Sequence, residues 1–374
     1  MQKVTRNILL NPGPATTSDT VKYAQVVPDI CPREREFGDL MGYISTNLTR
    51  FVADPDEFTT VLFGSSGTGV VEAVISSVVP YSKPGEKKLL IVNNGAYGER
   101  MCQIARTYDI PFVEFKASLF EPIDTHSLEE AIKNEQAVSH LAVVQNETTS
   151  GLLNDIQFLG TLCKKYHIDM IVDAMSSYAA IPIDMKMMNI SFLMSSSNKN
   201  IQAMAGVSFA ICRNKALLGL KDQKPRSFYF DLYDQYQYFM KNHQMRFTPP
   251  VQTLYALKQA IDELKLETVV KRYERYSKSW KTLIEGLEKI GLKHLVDEKH
   301  HSKIITTVIE PQNAKYSFTE MHDFLIEKGF TIYPGKVSGA NTFRIANIGA
   351  IDEDDIRRFL NELKLYMDKI GGAS

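Results

Sequence analysis

From residue 58 onward, short apolar runs take turns with amphipathic stretches: TTVLFG before VVEAVISSVV, KKLLIVNN before ERMCQIARTYD, PFVEF before SLEEAIKNE, HLAVVQNE before FLGTLCKKYH, then IDMIVDAM. A strand that runs parallel to its predecessor needs a long crossover, and a helix supplies one, so the alternation predicts a mostly parallel sheet with helices on both faces. The unbroken apolar character of LLIV, LAVV and MIV fits strands covered on both sides, because an open face would show a polar residue at every second position. Two further runs, SFLMSSS and GVSFAICR, bring the expected sheet to seven strands. The fold class read from this pattern is α/β.

Beyond about residue 250 the text turns helical, with apolar residues three and four apart through VQTLYALKQAIDELKLETVVKRYERYSKSWKTLIEGLEKIG. This predicts a connecting helix pair. A smaller α+β unit is expected after it, with a strand at IITTVIE, a helix from FTEMHDFLIEKG, strands at TIYPG and TFRIANIG, and a closing helix that starts at Asp352. At 374 residues the chain exceeds the size at which one core keeps growing. The expected organisation is an N-terminal segment 1–15 that contributes to the active site, a large domain 16–265 and a small C-terminal domain 266–374.

A net charge of −1 creates no global field that would gather nucleic acid or an anionic membrane. The N-terminus lacks the apolar core of a signal peptide, and no segment approaches the roughly 20 apolar residues of a membrane span, so a cytoplasmic protein is expected. Cys31, Cys102, Cys163 and Cys212 never form a CxxC, and no HExxH is present; His300 and His301 sit in the polar stretch DEKHHSK. No metal site is expected. A small molecule is the expected partner.

Five places carry chemistry. Gly64-Ser65-Ser66-Gly67-Thr68-Gly69 follows a strand and opens a helix, where backbone N–H groups and the helix dipole converge on an anion. A dinucleotide site would need an acidic residue on the next strand, which ends instead in Asn93-Asn94; a plain tight turn is the other alternative. Asp173 ends the apolar run IDMIV, at the sheet edge where open α/β folds hold ligands, although an aspartate there also suits a simple cap. Lys199 lies among uncharged Ser195, Ser196, Ser197, Asn198 and Asn200 between two buried strands, and burial of an amine lowers its pKa and makes it nucleophilic. Arg344, mid-strand in TFRIANIG, suits an anionic substrate group or an internal salt bridge. Tyr97, in the Gly-flanked turn NNGAYGERM, suits stacking on a planar ring or ordinary packing. An amine, a strand-end carboxylate and a phosphate nest together point to pyridoxal 5′-phosphate, which needs a lysine to attach to, a carboxylate for its ring nitrogen and donors for its phosphate.

At these residues the chain resembles the class V aminotransferases of fold type I, and within them most closely the branch that transaminates 2-aminoethylphosphonate with pyruvate. The resemblance rests on LLNPGPATTSDTVK, DICPREREF, FGSSGTGVVEAVISS, NNGAYGERM, NETTSGLLN, VDAMSSYAAIPID, SSSNKNIQ, RFTPPVQTLYAL and FRIANIG, which run from residue 9 to residue 349. It implies a large domain with a mostly parallel seven-stranded sheet and a smaller C-terminal domain. Lys199 would be the Schiff-base lysine and Asp173 the partner of the ring nitrogen. Ser66, Gly67 and Thr68 would hold the phosphate, with Asn198 helping, Tyr97 would stack on the ring, and Thr149 would approach the 3′-oxygen. Thr248 would reach the phosphate of a neighbouring subunit, which implies a homodimer with two shared sites. Arg344 would grip the substrate carboxylate, with Gly13 beside the substrate.

The partners implied are an amino donor and a 2-oxo acid acceptor. Alanine or serine with glyoxylate is the alternative chemistry, and cysteine desulfuration a weaker one, since no cysteine lies in a Gly/Ser-rich loop. Gln145 and Asn146 stand where relatives often carry a histidine nearby, and Asn200 stands where a small residue is usual. Arg33 and Arg35, in CPREREF, are candidate phosphonate ligands or a solvated charged run.

Overall fold

The computed structural model describes residues 7–81, 87–135, 137–335 and 341–373. The first six residues of the N-terminal segment lie outside the described residues. Seven strands form the central sheet: β1 (Phe58–Phe63), β2 (Lys88–Asn93), β3 (Phe112–Lys116), β4 (Val138–Val144), β5 (Asp169–Asp173), β6 (Ile190–Ser196) and β7 (Ser208–Arg213). Their order across the sheet is β1-β7-β6-β5-β4-β2-β3, and only β7 runs antiparallel to its neighbours. The seven strands and their mostly parallel pairing agree with the alternation in the sequence. Because β7 reverses between β1 and β6, the carboxyl ends of β1 to β6 share one edge, which also receives the start of β7 through the Ser208 pairings with Phe63 and Ser196.

The helices α1 (Arg35–Arg50), α2 (Gly67–Val78), α3 (Ala96–Thr107), α4 (Thr125–Asn134) and α5 (Ile156–Lys165) cover the sheet. Alternate residues of one strand feed opposite layers: Leu90 and Val92 of β2 join the cluster with Met41, Leu159 and Leu254, while Leu89 and Ile91 join the cluster with Val74, Met101 and Leu217. This two-sided burial is why those strands read as continuous apolar text. Within α5, Gly160 packs directly beneath the Met188 carbonyl and leaves no room for a Cβ.

The connecting helices are α6 (Val251–Glu267) and α7 (Val269–Ile290), with Thr268 in between at a φ of +69° and its side chain capping α7. The C-terminal layer contains β8 (Ile305–Ile309), α8 (Phe318–Glu327), β9 (Tyr333–Pro334), β10 (Thr342–Ala346) and α9 (Glu353–Ile370); β10 pairs antiparallel with both β8 and β9. Asp352 starts α9 with a capping box, as its acidic first turn suggests. A separate apolar cluster holds this layer together through Leu283, Phe330, Phe343, Phe359 and Leu363. The short strand Ile8–Leu9 belongs here as well, parallel to Phe330–Thr331. The chain then runs on toward the carboxyl edge of the central sheet. No helix among the described residues is long and apolar enough to cross a membrane.

Candidate active site

The turn after β6 carries Lys199, whose Nζ donates to the Pro12 carbonyl oxygen at 2.5 Å. The Ala15 N–H donates to the Asn198 carbonyl at 2.9 Å, so residues 12–15 clamp the lysine turn from the N-terminal side. Gly13 adopts a φ of +125°, and a Cβ there would stand 2.6 Å from Lys199 Nζ. Only glycine combines that backbone conformation with so close an approach. Burial pushes the Lys199 amine down to about 8, Asp173 opposes the shift, and the charges of Arg100 and Arg344 add to it.

Asp173 closes β5 at the same edge, almost fully buried, and accepts the Met175 N–H on Oδ1 at 2.9 Å. Burial raises its carboxyl to about 6 against the pull of that N–H and of Arg100 and Lys199. A buried carboxylate with no ion pair among the described residues is matched by a ligand that brings a cationic N–H. The turn after β1 leads into α2, whose N-cap, Ser66, keeps its hydroxyl out of capping. Gly67 faces Met175, whose Sδ would lie 2.5 Å from a Cβ at that position, so the helix start sits flush on the segment that follows Asp173.

Tyr97 occupies the first turn of α3 and is half-buried; burial raises its hydroxyl, opposed by Arg344 and Arg100. Glu147 stands beside it, fully buried, with Oε1 accepting from the Thr149 N–H at 2.9 Å and its hydroxyl at 2.5 Å. Its Oε2 has no hydrogen-bond partner. Burial pushes this carboxyl up to about 7. A Cβ on Gly95 would come within 2.7 Å of that oxygen, which is why the residue before α3 is glycine.

Arg344 projects from β10 toward the same loop. Nη1 donates to the Thr148 carbonyl and Nη2 to that of Pro334, both at 3.3 Å, Nε is buried without a partner, and the guanidinium lies 5.0 Å over Tyr333. No carboxylate pairs with it among the described residues, so the salt-bridge alternative is not what the described residues form. The cation is left available for an anion.

Lys199, Asp173, Tyr97, Thr149, Arg344 and the start of α2 thus gather around one edge, with Gly13 and Asn198 at the lysine. Thr248 is exposed and lines a small cleft with Gly64, Tyr229 and Phe247. Arg33 is exposed and tied to the backbone: Nη1 donates to the Met245 carbonyl at 2.6 Å and Nη2 to that of Arg246 at 3.2 Å, so it braces the segment that approaches Thr248. Arg35 is exposed. Asn200 is buried, donating to the carbonyls of Ser176 at 2.9 Å and Tyr178 at 3.1 Å, and Gln145 accepts from Ser177 at 2.7 Å. Both unusual residues brace the loops behind the site. His301 is buried against Trp280, 4.9 Å between ring centres, a correction to its placement in a polar loop.

Two site residues had no role in the sequence reading, Glu147 and Arg100. Arg100 follows Tyr97 by one helical turn, and that spacing was the available signal. The donor set as a whole, with an amine on a strained glycine turn, a buried carboxylate lacking a cation and an uncapped helix start, fits pyridoxal 5′-phosphate.

The family model for aminotransferase class-V matches residues 20–351. The chain is 40% identical over 359 residues to the 2-aminoethylphosphonate–pyruvate transaminase of Bacillus mycoides (strain KBAB4), covering 95% of this chain and 96% of that protein. It is 39% identical over 363 residues to the enzyme of the same name from Vibrio vulnificus (strain CMCP6), covering 96% and 97%. Among solved structures, an alanine–glyoxylate aminotransferase from Nostoc sp. superposes with a TM-score of 0.89 at 23% identity, over 97% of this chain and 96% of that one, and so shares the fold. The chain belongs to the class V aminotransferase family.

Proposed function

We propose that the chain is a pyridoxal 5′-phosphate-dependent transaminase that passes the amino group of 2-aminoethylphosphonate to pyruvate, giving phosphonoacetaldehyde and L-alanine, in either direction. The observation that carries the cofactor reading is the Lys199 amine, lowered to about 8 and pressed against Gly13, at the same sheet edge as buried Asp173. The substrate reading is supported by relatives of that name along nearly the whole chain.

When bound, the cofactor supplies an electron sink for the charge left when a proton leaves the substrate carbon. The chain's own groups do the rest. Lys199 Nζ, partly neutral near pH 8, serves first as the attachment point and then takes and returns the proton at the substrate carbon. Asp173 holds the ring N–H with its carboxylate. Ser66, Gly67, Thr68 and Asn198 bind the phosphate, Tyr97 stacks on the ring, and Thr149 stands at the 3′-oxygen. Arg344 receives the phosphonate of the donor and the carboxylate of the acceptor in turn, since its fork takes one anion at a time.

The reading includes a homodimer in which exposed Thr248 reaches the phosphate of the other subunit, and a cytoplasmic location. It also includes the division into 1–15, 16–265 and 266–374, supported by the separate apolar cluster of the C-terminal layer. A donor screen tests it. With 2-aminoethylphosphonate and pyruvate, cofactor absorbance should cycle and alanine should accumulate; turnover of alanine with glyoxylate and none of the aminophosphonate would reject the substrate assignment. Borohydride reduction should fix the cofactor to the peptide that contains Lys199.

A further inference from the structure

The groups assigned to the cofactor phosphate, Ser66, Gly67, Thr68, Asn198 and Thr248, carry no charge. A phosphate monoester near neutral pH carries close to two negative charges, and hydroxyl and amide donors alone leave most of that charge unbalanced in a half-buried cleft. Lys199 is engaged with the reacting end of the cofactor and Arg344 with the substrate. One cation of the cleft is left over.

Arg100 sits on the inner side of α3, one turn after Tyr97. Its guanidinium lies 4.9 Å over the Tyr97 ring, and Nη1 donates to Thr68 Oγ1 at 3.4 Å, a long contact with the phosphate turn itself. No carboxylate pairs with it among the described residues. Its neighbour on the helix, Glu99, is committed elsewhere, as is Glu114 of β3: Arg106 holds Glu99 at 2.9 Å and Glu114 at 3.2 Å. The Arg100 charge also reaches both Asp173 and Lys199, so the guanidinium belongs to the cleft and not to the outer surface of the helix. An unpaired guanidinium beside an uncharged anion cradle is the complement that a phosphate lacks.

Resting on the reading that the site takes pyridoxal 5′-phosphate, we infer that Arg100 is the cation of the phosphate cradle, turning from its long contact with Thr68 Oγ1 to grip a phosphate oxygen while it stacks on Tyr97. Arg100 is a cofactor-binding residue in this account and takes no part in proton transfer. The same contact gives the cofactor-free enzyme an affinity for inorganic phosphate.

Dissociation constants for pyridoxal 5′-phosphate and for pyridoxal, which lacks the phosphate, test the inference in the wild-type enzyme, Arg100→Met and Arg100→Lys. A charge-assisted hydrogen bond of this kind corresponds to roughly a 10- to 100-fold change in affinity. Arg100→Met should weaken the phosphate form by that factor and leave pyridoxal unchanged, Arg100→Lys should recover part of the loss, and inorganic phosphate should slow cofactor uptake by the wild type more than by Arg100→Met. Equal losses for both compounds would overturn the inference, since they would show damage to the Tyr97 stack or to the fold. An unchanged affinity for the phosphate form would overturn it too, as would a defect confined to the KM of the aminophosphonate. Wild-type enzyme that binds neither compound would instead remove the cofactor reading beneath it.

Discussion

Replacing Glu147 with glutamine isolates the energetic effect of a buried carboxyl that no cation neutralises. Burial moves this group from an ordinary value near 4.5 to about 7, the two Thr149 donors opposing the shift. A folded state that holds its proton more tightly than the unfolded chain is favoured at low pH. The stabilisation is therefore complete below about 4.5 and lost as pH climbs toward 7. A shift of that size corresponds to about 3 kcal/mol in full, of which roughly 2 to 3 kcal/mol falls between pH 5 and pH 8. Glutamine keeps the shape and the acceptor for Thr149 and does not titrate. Urea unfolding of cofactor-free wild type and Glu147→Gln at both pH values should show the variant gaining on the wild type by that amount as pH rises. A difference between the two proteins that stays the same at pH 5 and pH 8 would refute the reasoning, because the carboxyl would then titrate alike folded and unfolded.

Three other outcomes follow from the geometry. Covalent uptake of pyridoxal 5′-phosphate by cofactor-free enzyme should speed up with pH to a half-maximum near 8, because the neutral Lys199 amine is the attacking form and its folded value is lowered to about 8; a stopped-flow profile flat from pH 7 to pH 9 would contradict this. Gly13→Ala combines a strained backbone, about 1 to 3 kcal/mol, with a methyl driven into Lys199, so turnover should fall at least about tenfold with only a small loss in thermal midpoint; full activity would show that the lysine needs no such clearance. Gly160→Ala gains about 1 kcal/mol of helix propensity but forces a methyl against the Met188 carbonyl, and overpacking of about 1 to 3 kcal/mol should win. Chemical denaturation showing a more stable variant would reverse that sign.

The central sheet was legible because its strands had no choice of composition: covered on both faces, LLIV, LAVV and MIV could contain only apolar residues, and the helices between them show their buried stripe. Lys199 and Asp173 were legible for a related reason, since a charge at the end of such a strand stands out against its surroundings. Burial that arises from distant pairing left no such mark. His301 follows another histidine among charged residues, yet Trp280, from a helix well upstream, covers it. Arg33 reads as part of a charged run, and only the return of the chain at Met245 and Arg246 makes it a brace. Glu147 and Arg100 escaped notice because their neighbours in sequence are ordinary and their significance lies in the missing partner, an oxygen without a donor and a guanidinium without an acid.

The stretch from Ile8 to Ala15 begins as a strand beside Phe330 and ends with Pro12 and Gly13 against Lys199. Because the group that holds the amine is a main-chain carbonyl, no side-chain replacement can abolish it; only moving the path of the peptide can. Seated at one end in the layer that carries Arg344 and at the other on the reactive lysine, this short leash makes the two ends mechanically answerable to each other. With the Ile8 and Leu10 N–H groups bonded to the Gly329 and Thr331 carbonyls, a displacement of that layer would carry the acceptor of Lys199 Nζ with it.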